Sequence, residues 1–187
     1  VGHPNHSVFL FLLLLVIPSL CFAWSGKVVY VVDGDTFDVE RNGKSVRVRL
    51  YGVDTPESSQ WYGQNAKAFT SSQIMGKVVE IQETGRAAWN RAEGIVMIGN
   101  LNINRHLVEY GYAWVDPRYC KKPFCSEWAE VEAEAKAAKR GLRKNAKAIP
   151  PWEYRKSKRG KSSSSKAKAP TVSGSGCDCS GNLYNCG

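Results

Sequence analysis

A β hairpin can be located in this sequence from residue pattern alone, and it restricts the fold more than any other feature. Apolar and polar residues alternate over positions 45–50, so the two valines and the leucine lie on one face of a strand while Arg47 and Arg49 lie on the other. The preceding Asn42-Gly43 dipeptide is a strong signal for a two-residue hairpin turn, and residues 36–41 supply the partner strand. The chain therefore contains a half-buried antiparallel pair.

Further strands and helices follow in an order that indicates a barrel. Residues 27–33, 78–82 and 94–98 are short apolar runs typical of strands, with a turn at Gly99-Asn100. Helices are predicted over 62–75, 103–110 and 126–140, the last with Ser126 as its N-cap and Gly141 after its end. Five short strands with about three helices predict a mainly β (α+β) fold built on a small closed barrel, of which the OB-fold is the common form.

Composition divides the chain into four parts. Residues 1–23 are predicted to be a secretory signal peptide, and residues 24–155 the folded domain. A Lys/Ser-rich linker is expected over 156–176 and a Cys-rich fragment over 177–187, together forming a disordered basic tail. Of the formal charge of +9, the part after residue 155 carries +5. The domain is thus mildly basic, as a protein that binds a polyanion needs to be.

The N-terminal segment and the cysteines both point to export. Positions 8–23 form an apolar run that is short for a membrane span and the right length for a signal peptide, with cleavage predicted before Trp24. The protein is expected to be secreted or periplasmic, and membrane-bound only if this segment stays uncleaved. In an oxidising compartment Cys120 and Cys125 are expected to form a short-loop disulfide.

The shortage of histidine narrows the chemistry open to the domain. His106 is the single histidine beyond the predicted signal peptide, which makes histidine-pair ribonucleases and zinc hydrolases with histidine ligands poor candidates. Catalysis must then use carboxylates, arginines and a hard metal ion. Asp33 and Asp35 close the first strand pair, and Asp54 and Glu57 follow the third strand. Oxygen ligands without histidine or cysteine favour Ca²⁺ or Mg²⁺.

Phosphodiester hydrolysis uses these components. A metal ion polarises the phosphoryl oxygen, a carboxylate orients or deprotonates the attacking water, and guanidinium groups stabilise the charge that develops on the phosphorus oxygens. Arg49 is one candidate for that role, and the second is Arg91 or Arg86.

Four segments of this chain resemble the staphylococcal nuclease (thermonuclease) family. They are DGDT at 33–36, VRLYGVDTPE at 48–57, WNRAEGIVMIGNLNIN at 89–104 and HLVEYGYAWV at 106–115. The resemblance runs from about residue 27 to 154 with the order of the segments intact.

The resemblance implies an OB-fold and one Ca²⁺ held by Asp35 and Asp54 with the backbone carbonyl of Thr55. It implies further that Glu57 is the water-orienting or general-base carboxylate and that Arg49 is the first phosphate-binding arginine. The implied substrates are DNA and RNA, cleaved to 3′-phosphate products with little base specificity. The protein is expected to be a monomer with no stable protein partner.

The second arginine and the base-contacting residues are assigned by position in the aligned segments. Arg91 is favoured over Arg86 because it keeps the following strand, turn and helix in register. Glu93, close behind it, replaces the usual apolar residue and is expected to weaken its hold on phosphate. Tyr112 and Tyr119 lie where the family places base-contacting tyrosines.

Two other interpretations remain open at this point. The domain is alternatively a non-catalytic OB-fold protein that binds nucleic acid, although a binder has no evident need for the complete set of acids and arginines. The basic tail is alternatively a segment that binds anionic polymers of the cell envelope. Deleting residues 156–187 leaves turnover intact if the tail is only a linker.

Overall fold

The computed structural model describes residues 23–84 and 91–165, and these form eight strands and four α helices. The strands are β1 (Ala23–Val31), β2 (Thr36–Arg41), β3 (Lys44–Leu50), β4 (Val53–Asp54), β5 (Val78–Glu83), β6 (Arg91–Ile98), β7 (Leu101–Asn102) and β8 (Trp114–Val115). The helices are α1 (Gly63–Ile74), α2 (Ile103–Glu109), α3 (Cys125–Ala137) and α4 (Pro151–Ser165), with a 3-10 turn at Gly141–Lys144.

Five of these strands close into a barrel. Strand β1 pairs antiparallel with β2 and with β5, β2 pairs with β3, and β5 pairs with β6. A parallel pairing between β3 and β6 joins the two ends of this order, so the barrel has no open edge there. The predicted five-stranded barrel of the OB type, in an α+β fold, is confirmed. The short strands β4 and β8 form a separate two-stranded pair.

The hairpin predicted from the sequence is present and follows its expected register. Asn42 and Gly43 both have positive φ, 52° and 73°, the conformation that a two-residue turn between twisted strands requires. The apolar face of β3 is fully buried at Val48 and Leu50, where it packs in the barrel core. Arg49 is on the opposite face, with only part of its side chain exposed. This alternation positions the arginine outside the core at the end of the strand.

The helices match the predictions except at their ends and at the C-terminal side. Helix α3 begins at Cys125 and not after Ser126, because the Ser126 hydroxyl donates to the carbonyl of Pro123 and does not cap the helix. The chain leaves α3 earlier than Gly141, since Lys139 already has a left-handed φ of 52°. Helix α4, absent from the prediction, continues into the first part of the segment predicted as a linker.

The described residues fall into two compact units, one ending at Ala148 and one beginning at Ile149. The first contains the barrel, α1–α3 and the 3-10 turn, and the second contains α4. No helix within 23–84 and 91–165 is long and apolar enough to cross a membrane. The predicted signal peptide up to residue 22, the alternative Arg86 and the three C-terminal cysteines all lie outside the described residues.

Candidate active site

Two acidic loops meet at the guanidinium group of Arg49. Its Nη1 donates to Oδ1 of Asp35 at 2.9 Å, and its Nη2 donates to Oδ1 of Asp54 at 2.9 Å. Asp35 and Asp54 are separated by almost twenty residues of sequence, yet one planar group joins them. Their carboxylates therefore lie within the span of a single guanidinium, as a shared binding site demands.

Backbone pairing explains why these residues meet. Asp35 lies in the loop before β2, and Thr36 is the residue paired with Arg49 across the β2–β3 ladder. The amide of Leu50 donates to the carbonyl of Asp35 at 2.9 Å, which fixes the loop against the end of β3. The chain then turns through Gly52 and reaches Asp54 in β4. The hairpin register thus determines the distance between the two acids.

The backbone and side chain of Thr55 hold the other side of Asp35. Oδ2 of Asp35 accepts hydrogen bonds from the Thr55 amide at 2.9 Å and from its hydroxyl at 3.1 Å. Oδ1 accepts a third from the hydroxyl of Thr36 at 2.9 Å. Asp35 is therefore fixed in position by both loops before any ligand arrives.

Acidic charge at the site exceeds the positive charge that balances it. Asp35 and Asp54 are 2% and 1% exposed, and Asp33 lies beside them. Burial, followed by the charge of Asp35, raises the pKa of Asp33 from 3.8 to about 6. The charge of Asp35, with that of Asp54 and against the effect of burial, raises the pKa of Arg49, which stays protonated at every working pH. The site is thus suited to attract a cation.

Helix α1 is attached to the same loop by a residue that sequence patterns do not single out. The hydroxyl of Thr70, fully buried, donates to the carbonyl of Gly34 at 2.6 Å. Gly34 is also packed tightly, because a Cβ added there would lie 2.7 Å from the Thr55 hydroxyl oxygen and 2.8 Å from its Cβ. The glycine of the DGDT segment is therefore needed for the close contact of the two acidic loops. The sequence carries no signal for this contact of Thr70, because the burial of its side chain and its partner both depend on tertiary structure.

The donor set fits a hard divalent cation. Carboxylate oxygens of Asp35 and Asp54 and the carbonyl of Thr55 are the ligand types that Ca²⁺ prefers. Within 23–84 and 91–165, no group of three or more His, Cys, Asp and Glu side chains is arranged to bind a metal. A cation at this pair would thus have to complete its coordination with water and substrate oxygens, which leaves positions open for a phosphodiester.

Glu57 starts a compact turn three residues after Asp54. Its amide donates to the side-chain oxygen of Gln60 at 3.2 Å, and the Gln60 amide donates back to the carbonyl of Glu57 at 2.8 Å. Gln60 is 9% exposed, so this reciprocal pair is shielded from solvent. Sequence patterns did not assign Gln60 any role. It fixes the backbone from which the Glu57 carboxylate projects.

Arg91 is on the strand next to Arg49 and on the same face of the barrel wall. In the parallel pairing of β3 with β6, Arg47 is opposite Arg91 and Arg49 is opposite Glu93. Residues opposite one another, and those two positions along, project on the same side of a sheet. In the described ranges, no hydrogen bond or ion pair involves the Arg91 side chain, which is partly exposed. Glu93 is thus directly opposite Arg49 across the ladder, and its effect on the phosphate contact of Arg91 stays a prediction.

The two predicted tyrosines lie in different surroundings. Tyr119 is 49% exposed, and the Arg118 guanidinium is 5.3 Å from its ring centroid. Arg118 is held in turn by the buried carboxylate of Asp116 at 2.6 Å. Tyr112 instead stacks on Phe69 between α1 and α2, with ring centroids 4.0 Å apart. The two rings thus have different neighbours, and a base contact by either tyrosine stays a prediction.

A disulfide between Cys120 and Cys125 borders the site. The sulfur of Cys120 packs against Gly52, where an added Cβ would lie 2.7 Å from it. Gly52 has a φ of 72°, and its carbonyl accepts from the Asp116 amide at 2.9 Å. The cystine loop is thereby attached to the turn that leads into β4 and Asp54.

The fold and the site together define an OB-fold protein with two buried acids joined to an arginine at the end of one barrel strand. Residues 47–145 match the family described as staphylococcal nuclease homologue. An uncharacterized endonuclease of Escherichia coli O157:H7 is 37% identical over 139 residues, which cover 74% of this chain and 89% of the relative. The micrococcal nuclease of Shigella flexneri is 34% identical over 146 residues, which cover 72% and 83% respectively. A probable staphylococcal-like nuclease of Oryza sativa, CAN3, is 34% identical over 65% of this chain and 32% of its own length.

The chain belongs to the staphylococcal nuclease family, and it is a hydrolase of the nuclease type.

Proposed function

We propose that this protein is an exported, Ca²⁺-dependent nuclease that hydrolyses the phosphodiester bonds of DNA and RNA to 3′-phosphate products. The observation that carries the proposal is the joining of Asp35 and Asp54 by one guanidinium group, at 2.9 Å from each carboxylate. The contact supports the proposal because two carboxylates suited to bind a cation and a guanidinium suited to bind phosphate lie within hydrogen-bond distance of one another. A protein that only bound nucleic acid would gain nothing from burying two acids there, since both repel phosphate.

Asp35, Asp54 and the carbonyl of Thr55 would hold the ion. When bound, Ca²⁺ would supply polarisation of the phosphoryl oxygen and partial neutralisation of its charge. The charge of the ion would also offset that of the two aspartates, to which Arg49 donates in this structure. Arg49 would then donate to the phosphate, to which its two parallel N–H groups are well matched.

The remaining steps belong to the side chains around this pair. Glu57 takes a proton from a water molecule whose oxygen forms the new bond to phosphorus. Arg49 and Arg91, on adjacent strands and on one face, donate hydrogen bonds to the phosphorus oxygens as their negative charge grows. The bond from phosphorus to the 5′-oxygen breaks, that oxygen takes a proton from solvent, and Glu57 returns its own proton to solvent. The products are a 3′-phosphate and a 5′-hydroxyl.

The test is a digestion assay on labelled DNA and RNA oligonucleotides with Ca²⁺ or with a chelator. We expect cleavage of both polymers with Ca²⁺, none after chelation, and 3′-phosphate ends on the fragments. Glu57→Gln should slow turnover by a factor on the order of 100 to 10,000, the range lost with a general base. Glu80→Gln, which changes an exposed glutamate on β5, is the matched control and should digest at the wild-type rate.

Two outcomes would contradict the proposal. Equal digestion in chelator and in Ca²⁺ would refute the metal-dependent mechanism. Tight binding of DNA without turnover under any divalent ion would favour the non-catalytic binder.

Export is tested separately, by determining the N-terminal residue of the protein recovered from the culture medium or the periplasm. A start at Trp24 supports removal of a signal peptide, and retention of residues 1–23 would refute it.

A further inference from the structure

Aromatic rings form a continuous series beside the candidate active site. The ring centroids of Trp61 and Tyr62 are 5.0 Å apart, those of Tyr62 and Tyr112 are 5.5 Å apart, and those of Tyr112 and Phe69 are 4.0 Å apart. Phe69 then contacts two further rings, His106 at 5.6 Å and Tyr110 at 5.7 Å. We call this series the aromatic stack. In order, its members are Trp61, Tyr62, Tyr112, Phe69 and the pair His106 and Tyr110.

The ends of the aromatic stack are open to solvent. Trp61 is 53% exposed at one end and Tyr110 is 47% exposed at the other, whereas Tyr112 and Phe69 between them are partly buried. A cluster that served only to fill the core would cover its largest ring. Exposed indole surface of this size is costly to leave in water, and it is the surface on which nucleic-acid bases stack.

Trp61 belongs to the same turn as Glu57. The carbonyl of Glu57 accepts from the amide of Gln60, and the carbonyl of Gln60 accepts from the amide of Gly63 at 2.9 Å. The turn is closed so tightly that a Cβ at Gly63 would lie 1.9 Å from the carbonyl oxygen of Glu57. Trp61 is therefore held at a fixed distance from the residue assigned to activate water, on a segment with little freedom to move.

Tyr62 adopts a strained backbone conformation, which also indicates a functional role for this segment. Its φ of 72° is in the left-handed region, which bulky residues rarely adopt outside functional sites. In this conformation its ring lies between Trp61 and Tyr112. Burial, with added contributions from the charge and hydrogen bond of Tyr112, raises the pKa of the Tyr62 phenol. The Tyr62–Tyr112 pair thus holds one face of Trp61 in place.

The inner rings are carried by helices that also hold the acidic loops. Phe69 is next to Thr70, whose hydroxyl binds the carbonyl of Gly34. His106 is two residues after Asn104, a fully buried side chain that donates to the carbonyls of Tyr51 and Gly94 and accepts from the Val96 amide. The helices that carry the aromatic stack are therefore hydrogen-bonded to the loops and strand ends around the active site.

We propose that Trp61 is a base-stacking residue of the substrate site, receiving an unpaired base of the strand whose phosphodiester is bound at Arg49. The inference rests on the proposed nuclease function and adds to it the residue that receives the base, whose face is exposed only when the base is unpaired. A base fits here better than a peptide side chain, since the adjoining groups bind phosphate. Trp61 takes this role rather than Tyr110 because its turn begins at Glu57.

The experiment compares two single-stranded substrates that differ only in their bases. One is an oligothymidylate, and the other is an oligomer of equal length built from abasic deoxyribose phosphates. Trp61→Ala should lower kcat/KM on the oligothymidylate by about five- to a hundredfold, the range for loss of one stacked base. The loss on the abasic oligomer should be at least about fivefold smaller, and Trp61→Phe should recover most of the activity.

Tyr30→Ala is the matched control. Tyr30 is 54% exposed on β1, and like Trp61 it is an exposed aromatic ring, but it is not part of the aromatic stack. This variant should behave as wild type on both substrates, and a melting curve for each variant checks that the fold is retained. Equal losses on both substrates in Trp61→Ala, or no loss on either, would overturn the inference. If the wild type with Ca²⁺ cleaved neither oligomer nor duplex DNA, the proposed function itself would fail.

Discussion

Replacing Arg49 with glutamine tests how the metal-free site balances its own charge. Arg49 donates to two carboxylates that are 3% and 1% exposed, and its own side chain is 24% exposed. Removing it leaves two buried acids without the cation that joins them. Loss of one partner of a buried pair costs about 3–5 kcal/mol, and partial solvent access to Arg49 favours the lower end, about 3 kcal/mol.

Arg47 provides a control on the same strand, two residues away. It also pairs with an aspartate, Asp38, at 2.8 Å, but its side chain is 50% exposed. Exposed pairs of this kind contribute about 1 kcal/mol or less, so Arg47→Gln should have a small effect on stability. The two substitutions are identical in chemistry and differ in the burial of the carboxylates they leave behind.

The assay is urea unfolding of metal-free protein, repeated with Ca²⁺. We expect the free energy of unfolding to fall by about 3 kcal/mol in Arg49→Gln and by less than about 1 kcal/mol in Arg47→Gln. The difference corresponds to about 1 M in the urea midpoint. Ca²⁺ should stabilise Arg49→Gln more than the wild type, because it supplies the missing positive charge. Turnover should nevertheless stay lower by about 100-fold or more, since the phosphate contact is lost.

Equal losses of stability by Arg49→Gln and Arg47→Gln in chelator would contradict the role assigned to Arg49 in balancing the buried acids. That role is also refuted if Ca²⁺ stabilises the wild type and Arg49→Gln equally, because the ion would then bind without replacing the charge of Arg49.

Three further predictions concern the surroundings of the site. Gly34→Ala should lower turnover by about tenfold or more in the digestion assay, because the added methyl group would displace Thr55 from Asp35; wild-type turnover would show that the loops can move apart freely. His106 has a lowered pKa, chiefly through burial, so the unfolded state binds its proton more readily. The contribution of His106 to stability should therefore fall as pH drops below about 6.5, so the wild type should lose more stability between pH 7 and pH 5 than His106→Phe does, relative to any change that both share, as followed by urea unfolding. Replacing Cys120 and Cys125 with serine should cost about 2 kcal/mol of unfolding free energy, the amount expected for a loop this short; no change in the thermal midpoint would contradict it.

The barrel could be predicted because its strands carry local signals. The Asn42-Gly43 turn and the alternation over the β3 strand specify the hairpin and its register, and these in turn specify which residue faces Arg49. The closure between β3 and β6 is a parallel pairing of distant segments, and periodicity contains no information on it. The closure was expected only because a barrel was predicted, and the sequence did not show which strands would form it.

Helix ends and long-range polar contacts could not be predicted in the same way. Ser126 has the residue type of an N-cap, but its hydroxyl finds the carbonyl of Pro123 and the helix has already begun. The contacts of Thr70 and Gln60 depend on tertiary structure, so a threonine or glutamine in sequence gives no sign of them. Helix α4 was missed because its Lys- and Ser-rich composition resembles that of a linker.

For the site, sequence and structure contribute different parts. The residue types are visible in the sequence, and the resemblance assigned their roles, all of which remain predictions. The structure adds that Arg49 joins the two acids and that Tyr112 belongs to the aromatic stack. Neither contact follows from spacing, because each joins residues from different elements.

The central claim is that Asp35 and Asp54 share one Ca²⁺, and calorimetric titration of Ca²⁺ into metal-free protein tests it most directly. We expect one ion per chain in the wild type and a loss of affinity of about tenfold or more in Asp54→Asn. Asp38→Asn, which alters only the exposed pair on β2, should bind as the wild type does. Equal affinity in Asp54→Asn, or no binding by a wild-type protein that digests DNA in the same buffer, would contradict the account.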